Sequence, residues 1–191
     1  METHSLPVKN MLLLAAVCVV LGSTRATQDI DVVVLRGGTS KARQLLRASP
    51  LFEVEARTNH TTYKAESPVQ VEILAPPVMF REPFDQETEV VTVEGISVLK
   101  PALLLNAKCG SVFGRNTDER RRTDFHDIHF LLQFCAEHQE YLPKASEVPR
   151  ATKQFVHDII QLFGDEGAWV RAGYDLETGL FCLIPSQGSH S

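Results

Sequence analysis

The sequence predicts an α/β (α+β) protein, with strands in its first half and a helical C-terminal half. Three observations carry that expectation. Residues 32–35 are an apolar run rich in valine, with aspartates before it and glycines shortly after. Residues 69–74, VQVEIL, alternate as a half-buried strand does. Beyond residue 120 the apolar residues recur at helical spacing instead, as in Ile128, Leu131, Leu132 and Cys135. The chain has 191 residues, a net charge of −5, 43% hydrophobic and 23% charged residues. That is a globular composition and excludes disordered, collagen-like and disulfide-scaffold classes. Folding at this length buries roughly 70% of the unfolded surface, so the core needs neither disulfides nor metals. The acidic balance argues against a general nucleic-acid coat. We expect a single domain over residues 1–184 and a disordered tail over residues 185–191.

The N-terminus supports two readings. Residues 11–22, MLLLAAVCVVLG, are apolar on every face and suit a buried core helix. The same run follows Lys9 and precedes Thr24-Arg25-Ala26, the layout of a signal peptide over residues 1–26. It is too short for a transmembrane span, which takes about 20 residues. The second reading makes a small secreted or membrane-associated, non-enzymatic protein, with a glycan at the sequon Asn59-His60-Thr61. Cleavage would leave three of the four cysteines, an awkward number for an oxidising compartment. Cys18, Cys109, Cys135 and Cys182 form no CxxC pair and no zinc spacing, which fits thiols in a reducing, cytoplasmic setting.

The chemistry-bearing pattern is Asp29-Ile30-Asp31 at the start of the valine strand. Strand side chains alternate, so Asp29 and Asp31 share a face about 6.6 Å apart. Their repulsion is roughly 2.5 kcal/mol at an effective dielectric of 20. Solvent or a divalent cation relieves it. If residues 69–74 pair beside this strand, Glu72 adds a third carboxylate, enough to hold Mg²⁺ against nucleotide phosphates.

The remaining elements follow in order. Gly37-Gly38-Thr39 turns into a short amphipathic helix over residues 40–47. Residues 52–57 and 61–64 form a hairpin, and residues 90–93 a short strand. Residues 96–99 are another strand, leading into an apolar helix over residues 102–108 that ends in Lys108 and then Cys109-Gly110-Ser111. Arg120, Arg121 and Arg122 precede Asp124 and Asp127, which lie three apart on one helix face. Pairing between those arginines and aspartates is the expectation there, with Asp124 as a charge at the helix start. His126 and His129 lack an identifiable third metal ligand. Residues 151–163 repeat the amphipathic pattern, with Phe155, Ile159, Leu162 and Phe163 inward and Gly164 as the stop. Residues 169–184 suit a hairpin through Glu177-Thr178-Gly179.

Taken in order, these segments resemble a known family. Residues 21–35, LGSTRATQDIDVVVL, resemble the G-x-x-R-x-x-x-DID segment of nucleotidyltransferase-fold proteins of the DNA polymerase β superfamily, small fungal members among them. Glu72 matches the third acidic position, residues 96–108 a strand followed by an apolar helix ending in lysine, and residues 121–128 a K/R-x-x-D-x-x-DI helix start. The matches span residues 11–134, about two thirds of the chain. The resemblance implies a small mixed sheet flanked by helices. It implies transfer of a nucleoside monophosphate from a triphosphate, ATP in the first instance, to a hydroxyl. Asp29, Asp31 and Glu72 would be the catalytic and metal-binding residues, with Mg²⁺ or Mn²⁺. Lys108, Ser23 and Arg25 would contact the nucleotide. The acceptor is not specified.

The family's Gly-Gly or Gly-Ser motif departs from this pattern. Counting back from Asp29 puts that position at Leu14-Ala15, without a glycine, and Gly22-Ser23 lies only five residues before Asp29. A Cβ at such a position blocks close approach to phosphate. A non-catalytic descendant of the same fold is therefore an equal alternative. Little chain precedes Leu14, so the family's first element is expected to be missing, as in an N-terminally truncated domain.

Overall fold

The computed structural model describes residues 11–13, 17–24, 29–93 and 95–182. The chain divides into two compact units, residues 1–99 and residues 100–191. All the main sheet lies in the first.

In the first unit the chain runs β1 (Met11–Leu13), α1 (Val17–Val20), β2 (Asp29–Val34), α2 (Thr39–Ala48), β3 (Phe52–Val54), β4 (Thr61–Tyr63), β5 (Val69–Leu74), β6 (Val90–Val93) and β7 (Ile96–Leu99). The sheet is mixed, in the order β3-β4-β5-β2-β1-β7-β6. β2 pairs parallel to β5, and β1 parallel to β7, while the other neighbours are antiparallel. Alternation then decides the faces. Ile30, Val32 and Val34 of β2 share one face with Val71 and Ile73 of β5. That face packs on Ala42 and Leu46 of α2, with Phe52, Val54 and Tyr63 of the β3–β4 hairpin against the same cluster. Each such aliphatic side chain contributes about 1.5–3 kcal/mol by leaving water. The turn into α2 is tight: a Cβ on Gly38 would lie 2.9 Å from the Leu35 carbonyl oxygen.

The apolar run of residues 11–22 is not one core helix. Among its described residues, Met11–Leu13 is a strand between β2 and β7 and Val17–Val20 is helical. An all-apolar stretch has no period to separate a central strand from a buried helix. Leu14-Ala15 lies outside the described residues, as do Arg25 and residues 185–191.

The second unit comprises α3 (Pro101–Ser111), a 3₁₀ turn (Val112–Gly114), α4 (Asp118–Glu137), a 3₁₀ turn (Gln139–Tyr141), α5 (Lys153–Phe163), α6 (Glu166–Arg171), β8 (Tyr174–Asp175) and β9 (Leu180–Phe181). α3 packs on α4 through Leu104, Leu105 and Cys109 on one side and Ile128, Leu131, Leu132 and Cys135 on the other, all buried. Burial pushes the Cys135 thiol up to about 12, with the nearby Glu147 carboxylate adding to the rise. Trp169 is buried against the rings of Phe155, Tyr174 and Phe181. The tyrosine hydroxyl donates to the Ala151 carbonyl at 3.0 Å.

Three helical expectations change. α4 begins at Asp118, capped by the Thr117 side chain, so Asp124 lies in its second turn and is not an N-terminal charge. On α5 the inward residues are Val156 and Ile159, whereas Leu162 is 65% exposed. Trp169 belongs to α6, and the hairpin is confined to β8 and β9, a separate two-stranded sheet.

Candidate functional site

The three sequence-identified acids lie on adjacent parallel strands of the first unit. The register pairs Asp31 with Glu72 and Asp29 with Gln70. Paired residues of parallel strands point to the same side, so Asp29, Asp31 and Glu72 share the sheet face opposite α2. Both strands begin polar and end buried: Asp29 and Glu72 are exposed and Asp31 half-buried, while Val33 and Leu74 farther along the same face are buried. Hydrophobic strand ends thus anchor a carboxylate-bearing strand start.

In kind, the donors fit a hard divalent cation, which takes carboxylate oxygens. In geometry they fall short of a closed set. Among the described residues no three His, Cys, Asp or Glu side chains gather closely enough to hold a metal ion. His126 is exposed, and His129 instead bonds the Asp165 carboxylate through Nδ1.

Gly22-Ser23 has a different local role from a phosphate cradle. Gly22, at φ +102°, caps the C-terminus of α1. Its amide donates to the Val19 carbonyl at 3.0 Å, and the Ser23 amide to the Cys18 carbonyl at 2.7 Å. Phosphates favour helix N-termini, where amides are unsatisfied, and this is the opposite end of a helix.

The second unit holds a charged network that the local sequence pattern misassigned. Asp124 and Asp127 are buried on α4, but their partners are not Arg120 to Arg122. Lys108 of α3 reaches Asp127 Oδ2 at 2.8 Å and Asp124 Oδ1 at 3.3 Å. Arg115 grips Asp124 with two nitrogens, Nε at 2.5 Å and Nη2 at 3.2 Å, and Ser111 Oγ donates to it at 2.9 Å. Burial alone would raise the Asp124 pKa. The Arg115 hydrogen bond, the Lys108 and Arg115 charges and the Ser111 hydroxyl outweigh it, and the carboxyl lies below the usual carboxylate range. Arg121 pairs with Asp118 at 2.9 Å. The readable signal was the spacing: Lys108 and Ser111 are three apart on one helix, as are Asp124 and Asp127 on the other. Lys108 is therefore already held by two carboxylates, which a nucleotide phosphate would have to displace.

No family profile and no curated protein matches the chain at significance. Solved structures do match its fold. An antigenic nucleotidyltransferase-like protein from the fungus Paracoccidioides brasiliensis superposes with a TM-score of 0.61 at 19% identity, covering 91% of this chain and 86% of that one. JHP933 from Helicobacter pylori gives 0.51 at 18% identity, over 89% and 79% of the two chains. A second H. pylori protein, provisionally named a nucleotidyltransferase, gives 0.52 at 18% identity, over 89% and 81%. The mixed sheet, the helices and these three superpositions agree that the chain has a nucleotidyltransferase-like fold.

Proposed function

We propose that the protein is a metal-dependent nucleotidyltransferase that moves a nucleoside monophosphate from a nucleoside triphosphate to a hydroxyl. The observation that carries this reading is the β2–β5 register, which sets Asp31 beside Glu72 and Asp29 on the same face. The fold-level likeness to nucleotidyltransferase-like proteins supports it.

Asp29, Asp31 and Glu72 would hold Mg²⁺ or Mn²⁺ together with triphosphate oxygens, since the three side chains by themselves do not gather into a ligand set. Such an ion neutralises the triphosphate and lowers the pKa of an attacking hydroxyl. The chain's own contribution is electrostatic and positional: three anions on a rigid strand pair provide a place for a cation–triphosphate complex that neither ion alone would fill. In the reaction the acceptor oxygen bonds to the α-phosphorus, the α–β bridging bond breaks, pyrophosphate leaves, and the hydroxyl proton passes to solvent. ATP is the first donor to test, and Lys108 is a candidate phosphate contact once released from its aspartates.

Thermal unfolding of the full chain with Mg²⁺ and each triphosphate tests the proposal. Ligand at 100 times its Kd should stabilise by about 2.7 kcal/mol. For a chain of this size that is about 5–10 °C. The shift should require Mg²⁺ and vanish in Asp31→Ala. A cooperatively folding protein without any shift would instead be a non-catalytic descendant of the fold.

A further inference from the structure

We propose that α2 and the β3–β4 hairpin form a docking face for the sugar-phosphate backbone of a nucleic acid. The proposal is independent of the transfer chemistry and concerns the sheet face opposite the three acids. Residues 36–64 contain six lysines and arginines (Arg36, Lys41, Arg43, Arg47, Arg57 and Lys64) against two glutamates, Glu53 and Glu55. The segment thus carries +4 within a chain of net charge −5. A local excess against the sign of the whole molecule concentrates polyanions at that surface.

The structure makes this a surface and not merely a stretch of sequence. α2 and the hairpin pack on one apolar cluster, and Arg47 of α2 donates to Asn59 at the hairpin tip at 3.1 Å, next to Arg57. Arg36, Lys41, Arg47, Arg57 and Lys64 are exposed. Among the described residues none of the six is within ion-pair distance of a carboxylate, whereas Lys100, Lys108, Arg115, Arg121 and Lys144 of the second unit all are. Glu55 is engaged by the Thr58 hydroxyl. Arg43 and Arg47 stand four apart on the helix, a like-charge spacing that is unfavourable in isolation and relieved by a shared anion. α2 has no acid in its first turn, where one would normally be favourable. A membrane surface is the poorer fit, because the apolar side of α2, Ala42 and Leu46, is already spent on the core. Leu45 and Leu51 apart, what remains outward is polar or cationic, and phosphodiesters are the complement of that charge.

The test is fluorescence anisotropy of the full chain with a labelled 20-nucleotide single-stranded RNA, and its DNA counterpart, between 50 and 200 mM NaCl. Four phosphate contacts give a log–log salt slope of roughly −3, or about 50-fold weaker binding across that range. Lys41→Gln/Arg47→Gln/Arg57→Gln should weaken binding at least tenfold at 50 mM and flatten the slope by about 2. Arg120→Gln/Arg122→Gln, exposed on α4, should stay within twofold of the parent. Circular dichroism and Tm establish that each variant is folded. Because Arg47 also holds Asn59, Arg36→Gln/Lys41→Gln serves as the second variant and should weaken binding if the first fails to fold. Absence of saturable binding at 50 mM overturns the proposal. So does parental affinity in the folded variants, an equal loss in the α4 control, or binding to anionic phosphatidylserine vesicles without binding to either oligonucleotide.

Discussion

Asp124 sits at the meeting point of Arg115, Lys108 and Ser111, and its protonation is tied to the stability of the second unit. Its folded pKa lies below the unfolded value of about 3.9. It therefore contributes stability above that unfolded value, and the contribution is lost as pH falls through the depressed folded value. Urea midpoints between pH 7 and pH 3 should decline more steeply in the parent than in Asp124→Asn, which has no carboxyl to titrate. At pH 7, Asp124→Ala should cost about 3–5 kcal/mol, because it leaves cationic partners without their buried anion. A parent and an Asn variant with parallel pH profiles would mean that this carboxylate does not couple to folding.

Elements were legible where the physics is local. α5 begins at Thr152, whose hydroxyl accepts the Phe155 amide at 3.2 Å, and Thr152→Ala should lower stability by about 1 kcal/mol in urea denaturation. The Gly164 stop of α5, the hairpin of residues 52–64 and the strands bearing Asp29, Asp31 and Glu72 were readable from turn residues and two-residue alternation. The β2–β5 pairing entered only as a condition, because alternation marks a strand but names neither its neighbour nor its direction. Met11–Leu13 was not readable, since a run that is apolar at every position has no period of its own. The carboxylate partners of Lys108 were not readable either: they come from another helix, and sequence distance says nothing of that contact. Leu162 failed for a related reason, as helical spacing marks a stripe but not its outer limit.

At the scale of the whole chain, the charge is unevenly divided, and each unit uses its ions differently. The second unit draws many of its ions into pairs, as with Lys100 and Glu147 at 2.6 Å, while Arg120 and Arg122 stay exposed. The first unit sets Asp29, Asp31 and Glu72 on one sheet face and packs α2, which carries Lys41, Arg43 and Arg47, against the other. Net charge alone conceals this arrangement: a chain of net charge −5 carries +4 over residues 36–64.

The position of β1 has a consequence for biogenesis. It joins a four-strand half, β3-β4-β5-β2, to the β7–β6 pair, and only three residues make the joint. During synthesis β1 emerges early but must wait for residue 98 before its second edge finds a partner. Proteolytic maturation after residue 26 would excise this joint altogether. The trimmed chain would carry two newly unpaired strand edges, on β2 and β7, and such edges recruit other chains. Size-exclusion chromatography of a protein starting at Thr27 should therefore show self-association that the full chain lacks. A monodisperse trimmed protein with intact sheet signal would mean that the two halves can close without their linking strand.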